Sequence, residues 1–281
     1  MTVHILTLTC PDRPGIVASI AEGLFELGGN ILENAQYSDE VTNTFCIRTR
    51  FEADEADPAT IASALADRAS SLGADLDVRR EADRMRTVVM VSKQDHCLRD
   101  LLYRWQIGEL PVDVRAVVSN HPNVAPLVED AGIRFEHVPI SKDTKPQAEA
   151  RLVEILDEEN VELVVLARYM QILSDGLCEL LAGRCINIHH SFLPGFKGAR
   201  PYHQAWEHGV KLIGATAHYV TAGLDEGPII DQGVERVTHH ATVDDFVAVG
   251  RDIERLVLSR AVRAHAEHRV FLIGGRTVVF P

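Results

Sequence analysis

Three polar side chains gather the chemistry open to this chain. In Ile186-Asn187-Ile188-His189-His190-Ser191-Phe192-Leu193-Pro194 an amide and an imidazole stand two residues apart, and Asp225 follows in Leu224-Asp225-Glu226-Gly227-Pro228. Because Ile186 and Ile188 alternate with Asn187 and His189, a short strand can bury the isoleucines and project amide and imidazole from its other face. An amide donor, an imidazole and a carboxylate are the parts needed for acyl chemistry on a carbonyl without a covalent intermediate. Asn187 can donate to a developing oxyanion, His189 can donate to it or transfer a proton, and Asp225 can fix the imidazole's state or activate a nucleophile. A structural alternative stays open beside this one: a strand end carries polar residues, and Asp225 is a turn residue ahead of Gly227-Pro228.

The elements that must position these residues begin near Met85. Thr87 to Val91 is an almost continuous apolar run, the signature of a strand buried on both faces of a parallel sheet. Strand-like and helix-like segments then alternate: Val112 to Val118, a helix around Pro122 to Ala131, Phe135 to Val138, a helix from about Gln147 to Glu159, and Leu163 to Ala167. That order predicts a doubly wound, mostly parallel α/β sheet, with ligands bound beyond the carboxyl ends of its strands. Ile213 to Tyr219 returns as a strand, Thr221 to Pro228 is the loop bearing Asp225, and Val243 to His268 reads as a long helix. Thr277 to Phe280 closes a terminal hairpin with Val270 to Ile273.

Upstream stands a smaller module. Val3 to Thr9 reads as a strand, broken by Cys10-Pro11-Asp12-Arg13-Pro14-Gly15; Ile16, Ile20, Leu24 and Leu27 follow at helical spacing and end at Gly28-Gly29. Two further strands, a helix opened by Pro58 and a last strand to Arg79 complete a ferredoxin-like βαββαβ order. The charged stretch 81–86 lacks a core pattern, so the domains are drawn as 1–84 and 85–281.

Composition excludes several functions. With 28 basic against 41 acidic residues the net charge is -13, which argues against a nucleic-acid partner. The five cysteines are scattered and include no C-x-x-C pair, a pattern of reduced thiols in a cytoplasmic protein rather than of disulfides or a zinc knuckle. Neither a signal peptide nor an apolar run of membrane-spanning length is seen, so no membrane partner is expected. His189, His190, His203 and His218 were weighed as a metal set, but tight ligand spacing is missing and no metal is expected.

The pattern I-N-I-H-x-S-x-L-P-x-F-x-G, spelled by Ile186 to Gly198, and the D-x-G-P-I-I of Asp225 to Ile230 resemble the folate-dependent formyltransferase fold. The doubled histidine and R-P-Y-H-Q-A at Arg200 to Ala205 are most similar to the formyltetrahydrofolate deformylase family. The resemblance implies hydrolysis of 10-formyltetrahydrofolate by water to formate and tetrahydrofolate, supplying formate for purine biosynthesis and balancing one-carbon pools, with no cofactor beyond that substrate. It implies that Asn187 and His189 stabilise the oxyanion and Asp225 orients or deprotonates the water. The segment Arg168 to Leu173 resembles the family's pterin-lining stretch, so Met170, Ile172 and Leu173 are expected to touch substrate, with His218 and Gly227. The Ser92-Lys93-Gln94-Asp95-His96-Cys97 segment lacks the glycines with which glycinamide ribonucleotide formyltransferases hold a phosphate, which favours water as acceptor. Formyl transfer to an amine, and a binding protein without turnover, are the alternatives.

The D-R-P-G-I-V turn, its helix and Gly28-Gly29-Asn30 resemble the opening of an ACT domain. This implies a homo-oligomer with an amino-acid effector such as glycine or methionine bound between subunits, near Asp12, Gly15, Asn30 and Ile31. The alternative is turn and cap chemistry in a dimerisation module that binds nothing.

Overall fold

The structure is a computed structural model describing residues 1–54, 57–192 and 201–281. It divides into two compact units, 1–83 with 267–281, and 84–266.

In the first unit the order is β1 (Thr2–Pro11), α1 (Ile16–Glu26), β2 (Asn30–Asp39), β3 (Thr44–Ala53), α2 (Pro58–Leu72) and β4 (Asp75–Arg80). The strands form an antiparallel sheet in the order β2-β3-β1-β4, as the ferredoxin-like reading requires. Leu6, Leu8, Phe45, Ile47 and Phe51 point from one sheet face into Ile16, Ile20 and Leu24 of α1 and Ile61 and Leu65 of α2. Leu27, placed in the same stripe by its spacing, instead caps α1 and stays partly exposed.

The opposite sheet face is also covered. Past residue 266 the chain forms a hairpin of β12 (Val270–Ile273) and β13 (Arg276–Val279). Phe271, Ile273 and Phe280 cluster with Cys46, while Arg48 donates to the Glu267 carbonyl (3.1 Å) and Arg276 pairs with Asp39 (2.5 Å). The division at residue 84 therefore needs correcting at the other end of the chain: residues 267–281 belong with the first unit. The physical reason is that a two-stranded hairpin cannot bury an apolar face alone, and the Cys46 face of the sheet needs a cover.

The second unit holds β5 (Met85–Val91), α3 (His96–Gln106), β6 (Val112–Ser119), a 3-10 turn (Pro122–Val124), α4 (Ala125–Asp130) and β7 (Arg134–His137). It continues through α5 (Lys145–Glu158), β8 (Leu163–Leu166), α6 (Asp175–Leu180), β9 (Cys185–His189), α7 (Pro201–Glu207), β10 (Leu212–Tyr219), β11 (Ile229–Arg236) and α8 (Val243–Ala266). Its seven strands lie in the order β11-β10-β9-β8-β5-β6-β7, parallel from β5 to β9 and antiparallel for β10 and β11. Val88, Met90, Val164 and Leu166 meet Leu152, Ile155 and Leu156 of α5 and Leu177 of α6. Helix α8 lies along β9, β10 and β11 and against α3.

The sheet is wound outward in two directions from β5: to β6 and β7 on one side, to β8 and β9 on the other. The loops leaving β5 and β8 diverge there, and a crevice opens at their carboxyl ends. The sequence places Ser92 and Arg168 at those two ends.

Candidate active site

Strand β9 runs beside β10 with Asn187 opposite His218 and His189 opposite Thr216. Ile186 and Ile188 are buried, as the alternation predicts, but His189 is buried too, facing Asp225 of the β10–β11 loop. The loop between β10 and β11 is pinned where it starts and ends. Tyr219 N–H donates to the Pro228 carbonyl at 2.9 Å, and a Cβ on Gly227 would fall 1.7 Å from the Tyr219 carbonyl oxygen. Only glycine allows that approach. Asp225, within the loop, takes a left-handed φ of 56°, uncommon for a residue with a side chain and a form of strain found at functional sites.

That backbone brings Asp225 Oδ1 within 3.1 Å of His189 Nδ1 and 3.8 Å of His218 Nε2. The close His189 imidazole first and the more distant His218 ring second hold the Asp225 carboxyl far below the usual carboxylate range, so it is ionised at neutral pH. His218 Nδ1 lies 2.8 Å from the Tyr219 carbonyl, which can only accept, so this nitrogen carries a proton. In neutral His218 Nε2 then accepts from Asn187 Nδ2 at 3.2 Å, which sets the amide's orientation. His189 Nε2 is buried and has no hydrogen-bond partner. A buried ring nitrogen in that condition wants a ligand group.

A cleft of about 240 Å³ opens from these three residues. Met170, Ile172, Leu173, Val220 and Leu224 give it apolar walls, and Asn187, His189 and Asp225 stand at its polar end. Met170 and Ile172 are 57% and 63% exposed, as expected of side chains awaiting a flat apolar partner rather than packed as core. The structure thus brings together Asn187, His189, Asp225, Met170, Ile172, Leu173 and His218. Gly227 does not line the cleft; its place is the tight backbone contact beneath the Asp225 loop, a correction to its expected substrate contact. Leu193 to Arg200, which carry the rest of the sequence motif, lie outside the described residues.

Residues to which the sequence reading gave no catalytic or substrate contact also border the cleft. His190, beside His189 with ring centroids 5.3 Å apart, has its pKa pushed down to about 4 by burial first and by the Arg168 charge second, so it is neutral at pH 7. Arg168 lines the same cleft and is only 8% exposed. Behind it Glu254 of α8 accepts from the Tyr202 hydroxyl (2.7 Å) and faces His96 Nε2 (2.8 Å). The signal was present: Glu254 interrupts the apolar stripe Gly250, Val257, Ala261 that faces the sheet. A charge in a buried stripe needs partners.

His96, Cys97 and Glu254 are the one group among the described residues whose ligand atoms lie close enough to hold a metal, all within 4.8 Å. The Cys97 thiol is pushed well up by burial and keeps its proton, and the carboxylate already faces a guanidinium 3.4 Å away. Those donors suit an internal ion pair rather than a cation. The four histidines weighed as a metal set form no such group among the described residues.

In the first unit the expected effector residues do not converge. Pro11 aligns with Thr44 and Asp39, whereas Asn30 aligns with Glu52 and so with Val3. Asp12 and Gly15 therefore sit at one end of the sheet and Asn30 and Ile31 at the other, roughly 30 Å apart at the usual strand rise. Asp12 accepts a hydrogen bond from Ser38, and Gly15 adopts φ 93° where α1 begins. The four residues form no single site within one chain, so an effector touching all of them needs a second copy. The cause is topological: β1 and β2 both pair antiparallel with β3, so they run the same way and their starts and ends are a strand length apart.

The fold and this geometry define a class of protein, an ACT domain followed by a formyl transferase catalytic unit. Sequence models of those two families, described as ACT domain and Formyl transferase, match residues 4–70 and 85–262. The chain belongs to the formyltetrahydrofolate deformylase family. It is 52% identical over 278 residues to the formyltetrahydrofolate deformylase of Corynebacterium sp. (strain P-1), covering 98% of this chain and 97% of that one. The crystal structure of formyltetrahydrofolate deformylase from Burkholderia mallei superposes with a TM-score of 0.96 at 47% identity, covering 100% of both chains. The glycinamide ribonucleotide transformylase 1 of Symbiobacterium toebii superposes with a TM-score of 0.67 at 32% identity, covering 72% of this chain and 97% of its own.

Proposed function

We propose that this enzyme hydrolyses 10-formyltetrahydrofolate to formate and tetrahydrofolate, with the reduced pterin lying along Met170, Ile172 and Leu173. The observation that carries the reading is the His189–Asp225 contact of 3.1 Å, with the buried Nε2 of His189 unpartnered beside Asn187 at the closed end of an apolar cleft. Water adds to the formyl carbon, and the carbonyl oxygen takes up negative charge against the Asn187 amide and the His189 imidazole. Asp225 gives Oδ1 to His189, stabilising the imidazolium, and offers its other oxygen to the water. Its depressed pKa makes it a weak base in the resting state, so it orients the water and takes up the proton only as the carbon–oxygen bond forms. The carbon–nitrogen bond then breaks as N10 of the folate takes the proton held by Asp225, and the formic acid released gives up the water's second proton to solvent and leaves as formate.

Incubation of the protein with 10-formyltetrahydrofolate and no amine tests this directly. Formate and tetrahydrofolate are expected in equal amounts. Turnover that begins only when an amine is added would instead mean formyl transfer, the reading favoured by the likeness to the transformylase fold. Absence of any turnover would leave only the binding-protein reading.

The remaining features of the proposal are a cytoplasmic enzyme that supplies formate to purine synthesis without a bound cofactor, and a homo-oligomer that responds to an amino acid such as glycine or methionine. No helix among the described residues is long and apolar enough to cross a membrane. Edge strand β2 leaves Ile31, Leu32 and Tyr37 exposed, which supports pairing with a second copy. Since Asp12 and Asn30 are a strand length apart within one chain, an effector touching both would be held between two copies.

A further inference from the structure

We propose that the Arg168 guanidinium is a receptor for a small carboxylate, the formate released by the reaction, in the wall of the catalytic cleft. The inference rests on the hydrolytic reading above. Arg168 stands just past the end of β8, at the point where the sheet's winding reverses, and its carbonyl accepts from Ser92 N–H at 3.2 Å. Its backbone has φ 65°, the left-handed region that a residue with a side chain seldom occupies. The backbone strain and the burial of a permanent cation fall on one residue, and that residue borders Asn187, His189, His190 and Asp225 in the cleft.

The guanidinium is anchored without being used up. Nη2 donates to Gln94 Oε1 at 2.9 Å, and Nε lies 3.4 Å from Glu254 Oε2. That approach balances charge but makes no hydrogen bond, and the Glu254 oxygens are already engaged by Tyr202 and His96. Nε and Nη1 are both buried and without a hydrogen-bond partner. Because Glu254 repels an anion from the Nε edge, Nη1 is the donor offered to a ligand. An arginine placed to serve Glu254 alone would spend its donors on that carboxylate in a forked pair.

The reaction creates the ligand that fits. Hydrolysis turns a neutral formyl amide into an anion of three heavy atoms, formed within reach of Asn187 and His189 on the same wall. A guanidinium there meets no charge in the substrate's formyl group and a full charge in the product. It therefore favours the hydrolysed state of the one-carbon unit over the bound amide. The folate's glutamate carboxylate has the same chemistry, but it sits at the far end of the substrate from the formyl group, whereas Arg168 is beside the residues that hold that group.

The test begins with unmodified enzyme, sodium formate being compared with sodium chloride at matched ionic strength. Formate is expected to inhibit beyond chloride, and calorimetric titration of the substrate-free protein is expected to give a dissociation constant for formate. In Arg168→Gln that constant should rise about tenfold or more, the loss expected for a charge-assisted hydrogen bond. Arg168→Lys, which keeps the charge and loses the planar fork, should fall between the two, and it carries the comparison if Arg168→Gln does not fold. The folate KM should shift by a smaller factor than the formate constant.

Formate acting no better than chloride on unmodified enzyme would overturn the proposal without any variant. So would an unchanged formate constant in Arg168→Gln. A raised folate KM with formate binding unmoved would assign the guanidinium to the glutamate carboxylate and overturn it as well. Failure of formate release from 10-formyltetrahydrofolate sinks the hydrolytic reading, whereas the formate titration reads the Arg168 site by itself.

Discussion

The two units of this chain hold their candidate ligand residues in opposite ways. In the catalytic unit Asn187, His189 and Asp225 come from a strand end and a distant loop, yet all three line one cleft, His189 within hydrogen-bonding reach of Asp225 and Asn187 of His218. In the ACT unit Asp12, Gly15, Asn30 and Ile31 are solvent-accessible, and register sends them to opposite ends of one sheet. A site complete within one fold can be tested one residue at a time. A site divided by topology needs a second copy before any of its residues can act together.

The contrast is sharpest at Asp225. Replacing it with asparagine removes the charge facing His189 and His218 and is expected to lower kcat by about 10³-fold or more, as for loss of a carboxylate that orients a catalytic imidazole. The same variant reads out the linkage to pH. Because the folded-state pKa of Asp225 lies below its unfolded value, its stabilising contribution is fully present above about pH 4 and is lost as pH falls through the lower folded value. The difference in unfolding free energy between wild type and Asp225→Asn should therefore shrink as pH falls below about pH 4. A difference that stays unchanged as pH falls well below about 4 would mean that Asp225 is not held ionised by the two histidines.

Asn187→Ala comes next. It deletes one oxyanion donor and is expected to cost about 10²-fold in kcat, with a smaller change in KM. His218→Ala, which frees the Asn187 amide to rotate, should lower kcat by less than Asn187→Ala does. The double variant should then be no worse than Asn187→Ala alone, because His218 is placed to act through that amide. A fully additive double variant would give His218 a role of its own and narrow the contrast between a catalytic residue and its support.

In the first unit the largest expected effect is on folding. Phe271→Ala opens the cluster that the C-terminal hairpin makes with Cys46 and should cost about 3–5 kcal/mol of stability, measured by chemical denaturation. If residues 267–281 belonged instead to the catalytic unit's core, this loss would appear in the unfolding of that unit.

How far the sequence foretold each unit follows from the range of the interactions involved. The βαββαβ order, the parallel sheet and the Asn187–His189 alternation are local patterns, and periods of two and 3.6 residues carry them. The Asp225 position was legible only because a motif tied it to the strand. Three things were hidden, and each depends on pairing across distance. The C-terminal hairpin shields a sheet face made far earlier in the chain, Arg48 bonding Glu267 across 219 residues. Arg168 and Glu254 are drawn together across the sheet's carboxyl edge, although the one follows a strand and the other interrupts a helix stripe. The distance between Asp12 and Asn30 is set by strand register, which neither residue's neighbours reveal.

That register leads to the smallest predicted effect and the one most able to alter the comparison. If an amino acid is held between two copies, Asp12→Ala and Asn30→Ala should each weaken it by about fivefold, the worth of one ordinary hydrogen bond, when followed by calorimetric titration with glycine or methionine. Each homo-oligomer then carries the same lesion in all its sites. Mixing the two variants and allowing subunits to exchange gives a different result. A pair that joins one Asp12→Ala copy to one Asn30→Ala copy has two sites, one missing both groups and one missing neither. A fraction of tight sites should therefore reappear in the mixture although neither parent has any. Were both groups to serve one site within a single chain, every copy would stay defective and mixing would restore nothing. Recovery on exchange would show that the ACT unit completes its site by symmetry, as the catalytic unit completes its own by folding.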